Sequence, residues 1–295
     1  MTEKRLRFAL FGNTYQTKKS ASIRTLISCL TERGAALSVE QEFYDFLKMS
    51  QGISLPDADV ITDDDFVADF VISMGGDGTF LKAASHVGAK EIPIVGINMG
   101  RLGFLAGVTP EHIEQEIAAL CEGNYDTESR AVIEVTAEGG QLQGCPYALN
   151  DVAVLKRDNA SMISIQVHIN DEYLTTYQAD GLVVSTPTGS TAYSLSVGGP
   201  IIEPMTGTLS LTAVAPHSLN VRPMVISDSS SVSLSVESRN HQFLIGIDGR
   251  SEMCHDHTRL TIRRAPFCVK VVKRTDKTFF QTLREKLMWG ADIRQ

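Results

Sequence analysis

The residues best suited to chemistry lie in one glycine-rich segment, Asp69–Lys82 (DFVISMGGDGTFLK). An apolar strand enters the segment and a helix is expected to leave it. Its glycines can adopt positive φ and let a ligand approach the backbone. The amides of Thr79 and Phe80 lie at the predicted helix start, where N–H groups lack intrahelical partners and can bind an anion. The segment therefore predicts a phosphate-binding turn formed by Gly75, Gly76, Gly78 and Thr79.

Asp77 stands in the middle of this turn, where a carboxylate would repel the phosphate that the amides attract. A role in moving a proton or in binding a metal would explain it. A structural role would explain it equally well, because Asp is a favourable N-cap for the following helix. Glycine-rich turns are common, so this segment alone leaves both interpretations open.

A second dense segment, Gln178–Ser194 (QADGLVVSTPTGSTAYS), again takes a strand into a turn of small residues. Pro187 stiffens the turn, and Gly189–Thr191 offer amides and hydroxyls at a helix start, where phosphate or ribose oxygens can bind. It is not a Walker A loop, because no lysine follows the glycine. Alternatively, the hydroxyls of the turn satisfy its own backbone.

Two further polar features interrupt apolar strands. Asn150 and Asp151 form a polar pair that must either hydrogen-bond across a sheet or face a ligand. In a ligand site Asn can contact an amide or a base edge, and Asp can accept from a ribose diol. Asp180 is a carboxylate at a strand start, where a turn role is more common than a ligand role.

Composition restricts the class of protein. The chain has 295 residues, of which 43% are hydrophobic, which is enough for two domains. Its 27 basic and 35 acidic residues give a net charge of -8, which argues against a broad nucleic-acid or anionic-membrane surface. The first apolar run is broken by Gly12 and Asn13, too early for a signal peptide or a membrane span, so we expect a cytoplasmic protein.

The cysteines indicate neither disulfides nor a metal site. Five are scattered along the chain without a C-x-x-C pair, so we expect reduced thiols. The run Cys254–His257 resembles a metal motif, but neighbouring strand residues point to opposite faces and cannot easily share one ion.

Hydrophobic periodicity predicts a Rossmann-like parallel α/β domain over residues 1–124. Alternating strands and helices imply a parallel sheet with crossover helices. A last helix begins at Thr109-Pro110 and stops at Gly123. The predicted strands are 6–11, 37–43, 70–74 and 92–97, and the predicted helices between them are 20–33 and 79–87.

Residues 125–274 are expected to form a β-sandwich-like domain. Short alternating segments are separated by the hairpin turns Gly139-Gly140, Asn170-Asp171 and Asp248-Gly249, and only one short helix is predicted, after Gly189. An amphipathic helix within 275–295 then presents an apolar stripe that must cover another surface. The stripe consists of Phe279, Leu283, Leu287, Met288 and Trp289.

Together the motifs closely resemble those of the NAD kinase family, in the family's order. They are GGDGT at 75–79, NMGRLGF at 98–104, ND at 150–151, DGLVVSTPTGSTAYS at 180–194 and GGP at 198–200. GGDGT alone resembles the shared motif of a wider superfamily that includes diacylglycerol and sphingosine kinases and phosphofructokinases. STPTGSTAYS followed by GGP is more specific to NAD kinases. The resemblance implies phosphoryl transfer from ATP or a similar donor, with a divalent metal such as Mg²⁺, to the 2′-hydroxyl of the adenosine ribose of NAD.

The resemblance also implies roles for individual residues. Asp77 would accept the proton of that hydroxyl. The implied NAD-binding residues are Asp77, Gly78, Asn150, Asp151, Asp180, Thr188, Gly189, Ser190, Thr191, Ala192 and Tyr193. The family's plan implies that the closing helix returns to the first domain and that the chain forms a homo-oligomer, a dimer or a tetramer. Arg250 and Gln178 depart from residues common in the family, so their roles stay open.

Two rival functions remain at this stage. A lipid kinase would share GGDGT and the two-domain plan, although no exposed basic amphipathic segment suits a membrane surface. A non-catalytic NAD-binding sensor could keep the ribose and phosphate contacts without chemistry, but an intact GGDGT with Asp77 disfavours it. The preferred phosphoryl donor, acceptance of NADH and regulation by NADP or NADPH are not predicted.

Overall fold

A computed structural model describes residues 5–15, 20–55, 57–100, 103–158, 161–273 and 277–289. The chain divides into two compact units. Unit 1 is Met1–Ser129 together with Val269–Gln295, and unit 2 is Arg130–Cys268. Among the helices in these described ranges, none combines the length and the apolar character that crossing a bilayer requires.

Unit 1 is built on a parallel sheet in the order β3-β2-β1-β4-β5. Its strands are β1 (Arg7–Gly12), β2 (Ala36–Glu40), β3 (Asp59–Ile61), β4 (Phe70–Gly75) and β5 (Ile94–Asn98), and its first four helices are α1 (Ser20–Glu32), α2 (Gln41–Ser50), α3 (Asp77–Val87) and α4 (Ile113–Glu122). Every residue of β4 and β5 is buried, as expected for strands covered on both faces. The prediction of a parallel α/β domain is confirmed.

The winding of this sheet locates a binding site. Strand β1 pairs with β2 on one side and with β4 on the other, so the strand order reverses at β1. Ligands of open α/β sheets bind beyond the carboxyl ends of the strands at such a reversal. The carboxyl ends of β1, β4 and β5 are brought together here, because Gly12 pairs with Met74 and Gly75 pairs with Asn98.

One predicted element of unit 1 is wrong at its end. Residues 37–43 were expected to be extended, but β2 ends at Glu40 and α2 begins at Gln41. The Glu40 carboxylate accepts from the N–H groups of Glu42 (3.3 Å) and Phe43 (3.1 Å) and so caps the helix. This cap, and the burial of Phe43 on the inner face of the helix, outweigh the β propensity of the segment.

The predicted end of α4 is confirmed. A 3-10 turn at Pro110–His112 leads into α4, and Ile113, Ile117 and Leu120 are buried along one face. Gly123 ends the helix with φ 74°, in the left-handed region that favours glycine.

Unit 2 consists of antiparallel sheets around one core. Its strands and helix are β6 (Asp126–Glu138), β7 (Tyr147–Ala148), β8 (Asp151–Lys156), β9 (Ile163–Ile169), β10 (Glu172–Ala179), β11 (Gly181–Ser185), α5 (Tyr193–Ser196), β12 (Thr208–Val214), β13 (Met224–Ser227), β14 (Val232–Glu237), β15 (Gln242–Ile247), β16 (Arg250–His255) and β17 (Arg259–Lys273). One sheet has the order β13-β12-β11-β8-β15-β16, and β10, β9, β14 and β17 pair in a second. Apolar side chains of both sheets share a single core cluster, so the expected layered β architecture is confirmed.

Two of the predicted hairpin turns have the expected geometry. Asn170 and Asp171 join β9 to β10 with φ 50° and 68°, and Asp248 and Gly249 join β15 to β16 with φ 48° and 80°. Positive φ at both central residues is the type I′ arrangement, which matches the twist of antiparallel strands. The predicted Gly139-Gly140 turn instead opens a longer loop between β6 and β7.

The last described helix, α6 (Phe279–Leu287), belongs to unit 1. Thr278 and Gln281 form a capping box at its start. Phe279, Leu283 and Leu287 lie on one face and are half-buried. The Phe279 ring lies 6.3 Å from the ring of Phe104, centroid to centroid. The apolar stripe predicted for this segment therefore covers part of unit 1, with Met288 and Trp289 exposed beyond it.

Deleting the chain from Lys277 onward should destabilise the protein, because the surface under Phe279, Leu283 and Leu287 becomes exposed. We expect the melting temperature to fall by at least about 5 °C, or soluble expression to be lost. Phe280→Ala, on the exposed face of the same helix, serves as the control and should change the melting temperature little. A truncated chain that melts cooperatively at the parental temperature would show that α6 is an appendage.

Candidate active site

The glycine turn between β4 and α3 has ordinary backbone angles. Gly75, Gly76 and Gly78 do not adopt positive φ, so the expectation that they serve through left-handed conformations is wrong. A Cβ at Gly75 would collide with the side chain of Thr79, whereas a Cβ at Gly76 or Gly78 would meet open space. Gly75 thus permits close packing of the turn on the helix, and the other two leave the backbone accessible to a ligand.

The amides that were expected to bind an anion are engaged elsewhere. The N–H groups of Thr79 and Phe80 both donate to the carbonyl oxygen of Gly76, each at 3.1 Å. That part of the prediction is wrong, because α3 begins two residues earlier than its pattern indicated. The amides of Asp77 and Gly78 precede the first intrahelical bond, at the positions where a helix start leaves N–H groups without intrahelical partners.

Asp77 does not cap the helix. The N-cap is Gly76, and no side chain bonds to the first amides of α3. The Asp77 carboxylate instead accepts hydrogen bonds from the loop that follows β5. Its Oδ2 accepts from Phe104 N–H at 2.9 Å, and its Oδ1 accepts from Leu105 N–H at 3.0 Å and Ala106 N–H at 3.2 Å. The structural interpretation of Asp77 as a cap is therefore wrong, and its carboxylate is fixed by three amides.

Two neighbours complete the surroundings of this carboxylate. A Cβ at Gly103 would collide with the Asp77 carboxylate, so only glycine allows the loop to approach so closely. The Lys286 ammonium of α6 lies 3.5 Å from Oδ2 of Asp77 and 4.3 Å from the centre of the Phe104 ring. A lysine placed over an aromatic face gains a cation–π contact.

A cavity of about 440 Å³ adjoins the glycine turn. It lies at the carboxyl ends of β1 and β4, where the strand order reverses. Residues of the loop after β1, the turn and two flanking helices line it: Gly12, Asn13, Thr14, Tyr15, Glu42, Gly76, Gly78, Thr79 and Lys82. Its position is that of the ligand site in open α/β sheets.

Lys82 supplies a positive charge to this cavity. Its ammonium lies 2.6 Å from Oε2 of Glu42 and 3.2 Å from Oε1 of Glu40. Burial alone would lower the pKa of Lys82, but its hydrogen bonds to Glu42 and Glu40 outweigh burial and raise it. The same hydrogen bond from Lys82 lowers the pKa of Glu42. Lys82 is therefore a fixed cation beside the glycine turn.

The second group of predicted site residues lies in unit 2, around the start of β8. Thr186 N–H donates to the carbonyl oxygen of Asn150 at 2.9 Å. A Cβ at Gly189 would collide with the same oxygen, so the turn after β11 packs directly on the polar pair. The Asp151 carboxylate accepts from Tyr193 N–H. The structure thus brings Asn150 and Asp151 together with the residues Thr188–Tyr193.

A buried hairpin carboxylate supports this pair. Asp248 Oδ2 accepts from Leu149 N–H at 2.7 Å, and its Oδ1 accepts from Asn150 N–H at 2.8 Å and Asp151 N–H at 3.2 Å. The carboxylates of Asp151 and Asp248 are therefore buried close to each other. Burial, with the Asp248 charge adding to it, raises the pKa of Asp151 to about 7.

Several hydroxyls of the turn satisfy its own backbone. Ser190 Oγ donates to Pro187 O at 2.7 Å and accepts from Ile202 N–H at 3.0 Å, and Thr191 Oγ1 donates to Thr188 O at 3.2 Å. The hydroxyls of Ser190 and Thr191 therefore have the backbone partners that the structural alternative expects. Ser190 is fully buried, whereas Ala192 is partly exposed and Tyr193 is 37% exposed. Surface on which a ligand could pack is thus available at the end of the turn.

A buried arginine lies against the same turn. Arg130 Nη1 donates to Thr188 Oγ1 at 3.5 Å, and both residues are buried. A buried guanidinium is a persistent positive charge, because arginine does not lose its proton in proteins. It favours anionic groups near Thr188.

Asp180 lies at the other end of the strand pair. Ser185 pairs with Asp151 and Gly181 pairs with Leu155, and Asp180 precedes Gly181, so five residues of strand, about 17 Å, separate Asp180 from Asp151. Asp180 is paired with Lys156 at 2.7 Å. Lys156 lines a cavity of about 580 Å³ that also contains Gln178, Ser164 and Arg239.

The two residues whose roles were left open make local contacts. Gln178 Nε2 donates to Ser164 Oγ at 2.6 Å. Arg250 donates to the backbone carbonyls of Ile247 at 3.1 Å and Tyr147 at 3.0 Å. Arg250 therefore fastens the loop before β7 to the hairpin that carries Asp248.

Comparison with known proteins decides the family. The model of the ATP-NAD kinase N-terminal domain matches residues 9–125, and that of the ATP-NAD kinase C-terminal domain matches residues 149–274. A curated NAD kinase of Bacteroides fragilis is 57% identical over 289 residues, covering 98% of this chain and 100% of the relative. One from Porphyromonas gingivalis is 43% identical over 288 residues, covering 98% and 99%.

The chain belongs to the NAD kinase family. Its activity is accordingly that of a kinase acting on NAD, and nothing in the comparisons favours a lipid kinase or a non-catalytic sensor.

Solved structures of NAD kinases have the same fold. The crystal structure of an NAD kinase from Archaeoglobus fulgidus in complex with ATP is 25% identical, with a TM-score of 0.74, and the match covers 96% of this chain and 99% of that one. Yeast NADH kinase complexed with NADH has a TM-score of 0.88 at 22% identity, covering 98% and 89%.

Sequence reasoning missed the polar partners that support this NAD kinase site. Asp248 was noted only as a hairpin residue, and its burial depends on long-range pairing of β15 with β8. Lys82 follows the glycine turn by one helical turn, which was a usable signal. Lys286 lies two helical turns after Phe279 and therefore on the same face, which periodicity could have revealed. What it contacts could not be predicted, because that contact joins residues 209 positions apart.

Asp151→Asn should alter the pH dependence of stability. The folded protein holds the Asp151 proton up to about pH 7, whereas the ordinary pKa is 3.8. The contribution of this proton to the free energy of unfolding is complete below the ordinary pKa and is lost as pH rises through about 7. Between about pH 4 and pH 7 the parent should therefore lose stability relative to the variant, by on the order of 2–4 kcal/mol. Denaturant unfolding of both proteins measures this, and parallel pH profiles would contradict it.

Proposed function

We propose that this chain transfers the terminal phosphoryl group of ATP to the 2′-hydroxyl of the adenosine ribose of NAD, with Asp77 as the proton acceptor. The observation that carries the assignment is the fixed carboxylate of Asp77 beside a turn with accessible backbone. A ribose hydroxyl is a weak nucleophile, and a carboxylate within hydrogen-bond reach removes its proton as the new O–P bond forms. Three hydrogen bonds from backbone N–H groups orient the Asp77 carboxylate before the substrate binds, which reduces the entropic cost of placing it against the hydroxyl.

We propose that the triphosphate binds in the cavity at the carboxyl ends of β1 and β4. The amides of Asp77 and Gly78 would contact its oxygens, since they open α3, and the Lys82 ammonium would add charge. Gly75 and Thr79 keep the turn packed on the helix, and Gly76 and Gly78 leave room for the phosphates. The crystal structure of an archaeal relative in complex with ATP supports ATP as the donor.

We propose that unit 2 binds NAD through the residues around the start of β8. The side-chain amide of Asn150 and the carboxylate of Asp151 offer polar contacts, and the exposed ring of Tyr193 offers a stacking contact. Ala192 adds a small apolar surface. The buried residues Thr188, Gly189 and Ser190, together with the partly exposed Thr191, would act by shaping this site.

We propose NAD binding for Asp180 separately, because it lies apart from the other candidate NAD-binding residues of unit 2. It lies about 17 Å from Asp151 along the strands and beside a separate cavity. A contact with NAD would therefore involve another part of the dinucleotide, or a molecule bound to a second copy in the expected dimer or tetramer. Light scattering of the purified protein would determine the oligomeric state. Location in the cytoplasm likewise remains a proposal.

Mg²⁺ fits a site in which the triphosphate supplies most of the ligands. Within the described ranges no group of three or more His, Cys, Asp or Glu side chains is arranged to hold a metal. Mg²⁺ commonly takes one or two carboxylates with substrate phosphates and keeps several waters, and Glu42 is a carboxylate that lines the cavity. Bound there, Mg²⁺ would neutralise charge on the phosphates during transfer.

A donor and acceptor matrix tests the reaction. The purified protein is incubated with NAD or NADH, with ATP, another triphosphate or polyphosphate, and with and without Mg²⁺, and 2′-phosphorylated product is measured. We expect NADP from NAD and ATP, with a requirement for the metal because the chain itself carries a charge of -8. A lipid substrate serves as the negative control. Failure of correctly folded protein to form NADP with any donor and metal would contradict the proposal.

Asp77→Asn tests the proton acceptor. The variant cannot take up the proton, so we expect kcat to fall about 10²- to 10⁴-fold while NAD binding changes little. Its amide nitrogen must also face at least one of the loop amides, so a stability loss of about 1–2 kcal/mol is expected. Kinetics, a binding titration and a melting curve are measured together. Turnover within a few-fold of the parent would rule out Asp77 as the base.

A further inference from the structure

The starting observation concerns how many hydrogen bonds the Asp77 carboxylate can still accept. A carboxylate has about four lone-pair positions on its two oxygens. Three are used by the amides of Phe104, Leu105 and Ala106. The fourth, on Oδ2, faces the Lys286 ammonium at 3.5 Å. A substrate hydroxyl that gives its proton to Asp77 therefore needs the position next to Lys286.

The two kinds of partner on Asp77 differ in how firmly they are held. The three amides belong to one backbone loop, whose approach depends on Gly103. Lys286 reaches the carboxylate at the end of a flexible side chain, and the side chains of Lys286 and Asp77 are 31% and 28% exposed. An ion pair this exposed contributes little to stability, so the ammonium can leave Oδ2 at little cost.

The backbone from which Lys286 projects is nevertheless well positioned. Phe279 and Lys286 are seven residues apart on α6, and both contact Phe104, at 6.3 Å between ring centroids and 4.3 Å from ammonium to ring. The Phe279 contact does not involve the ammonium, and it holds this face of α6 against the loop that holds Asp77. From this backbone the Lys286 ammonium can exchange Oδ2 of Asp77 for a nearby anionic group.

We propose that Lys286 is a catalytic residue for phosphoryl transfer: its ammonium pairs with the Asp77 carboxylate in the free enzyme and passes to the transferring phosphoryl group when the substrate hydroxyl takes its place. In that step the ribose 2′-oxygen forms a bond to the terminal phosphorus of ATP, and its proton goes to Oδ2 of Asp77. The bond from that phosphorus to the bridging oxygen breaks, and its electron pair leaves with ADP. The oxygens of the transferring group carry negative charge throughout, which a nearby cation stabilises.

Lys286→Met removes the ammonium and keeps the length of the side chain. We expect kcat to fall about 10- to 100-fold, with KM for NAD and ATP within about twofold and an unchanged melting curve. Lys286→Arg should recover most of the lost turnover, because it restores a cation. Arg284→Met, which removes a cation from the exposed side of the same helix, is the matched control and should behave like the parent. Lys286→Gln replaces Lys286→Met if the latter is poorly soluble.

The double variant with Asp77→Asn separates this role from a structural one. The proposal rests on Asp77 as proton acceptor, but the ammonium acts on the phosphoryl group itself, so Lys286→Met should also lower the residual turnover of Asp77→Asn, by about 10-fold or more. Parental or higher turnover in Lys286→Met, or no effect of Lys286→Met in the Asp77→Asn background, would overturn the proposal for Lys286 alone. Parental turnover in Asp77→Asn would instead overturn the proposed function of Asp77, so the two failures are distinguishable.

Discussion

The arrangement of the candidate active site depends on one interaction, the three hydrogen bonds that consecutive backbone amides donate to the carboxylate of Asp77. It joins the first residue of α3 to the loop after β5, two elements that the parallel sheet brings to the same edge. Charge-assisted hydrogen bonds of this kind are stronger than neutral ones. They set the orientation of the carboxylate. They also position Phe104, which α6 contacts through Phe279 and Lys286. The glycine turn, the loop and the last helix are therefore positioned by a single side chain.

Unit 2 uses the same device at a second place. The Asp248 carboxylate accepts from the consecutive amides of Leu149, Asn150 and Asp151, and so fixes the start of β8. The consequence differs, because this carboxylate is buried beside another one. Burial raises the pKa of both Asp151 and Asp248. In each unit, a carboxylate orders three consecutive backbone amides at a candidate site, and in unit 2 it also lies beside a second carboxylate whose pKa is raised to about 7.

Local sequence signals predicted the elements well and the long-range polar contacts poorly. Periodicity and turn residues located the parallel strands, the type I′ hairpins and the end of α4, because these depend on neighbouring residues. The start of α2 was missed because the cap at Glu40 had not been recognised. The hydrogen bonds that hold the Asp77 carboxylate were missed because their donors are backbone amides 27 to 29 residues away. Nearly every residue has such an amide, so residue types do not indicate which ones will donate. The motif resemblance supplied the site residues, but only geometry separated the exposed Tyr193 from the buried Ser190.

The central claim is that catalysis requires the Asp77 carboxylate to be held by the hydrogen bonds from Phe104, Leu105 and Ala106. Gly103→Ala tests this claim most directly. The added Cβ would collide with the Asp77 carboxylate and displace it, whereas the substitution removes no ionisable group. The measurement is kcat for NADP formation, beside Gly207→Ala, whose Cβ meets Asp228 at an ordinary 3.5 Å. We predict that Gly103→Ala lowers kcat by about 10²-fold, because a displacement of about 1 Å costs that much, and that Gly207→Ala does not. Parental kcat in Gly103→Ala would contradict the account.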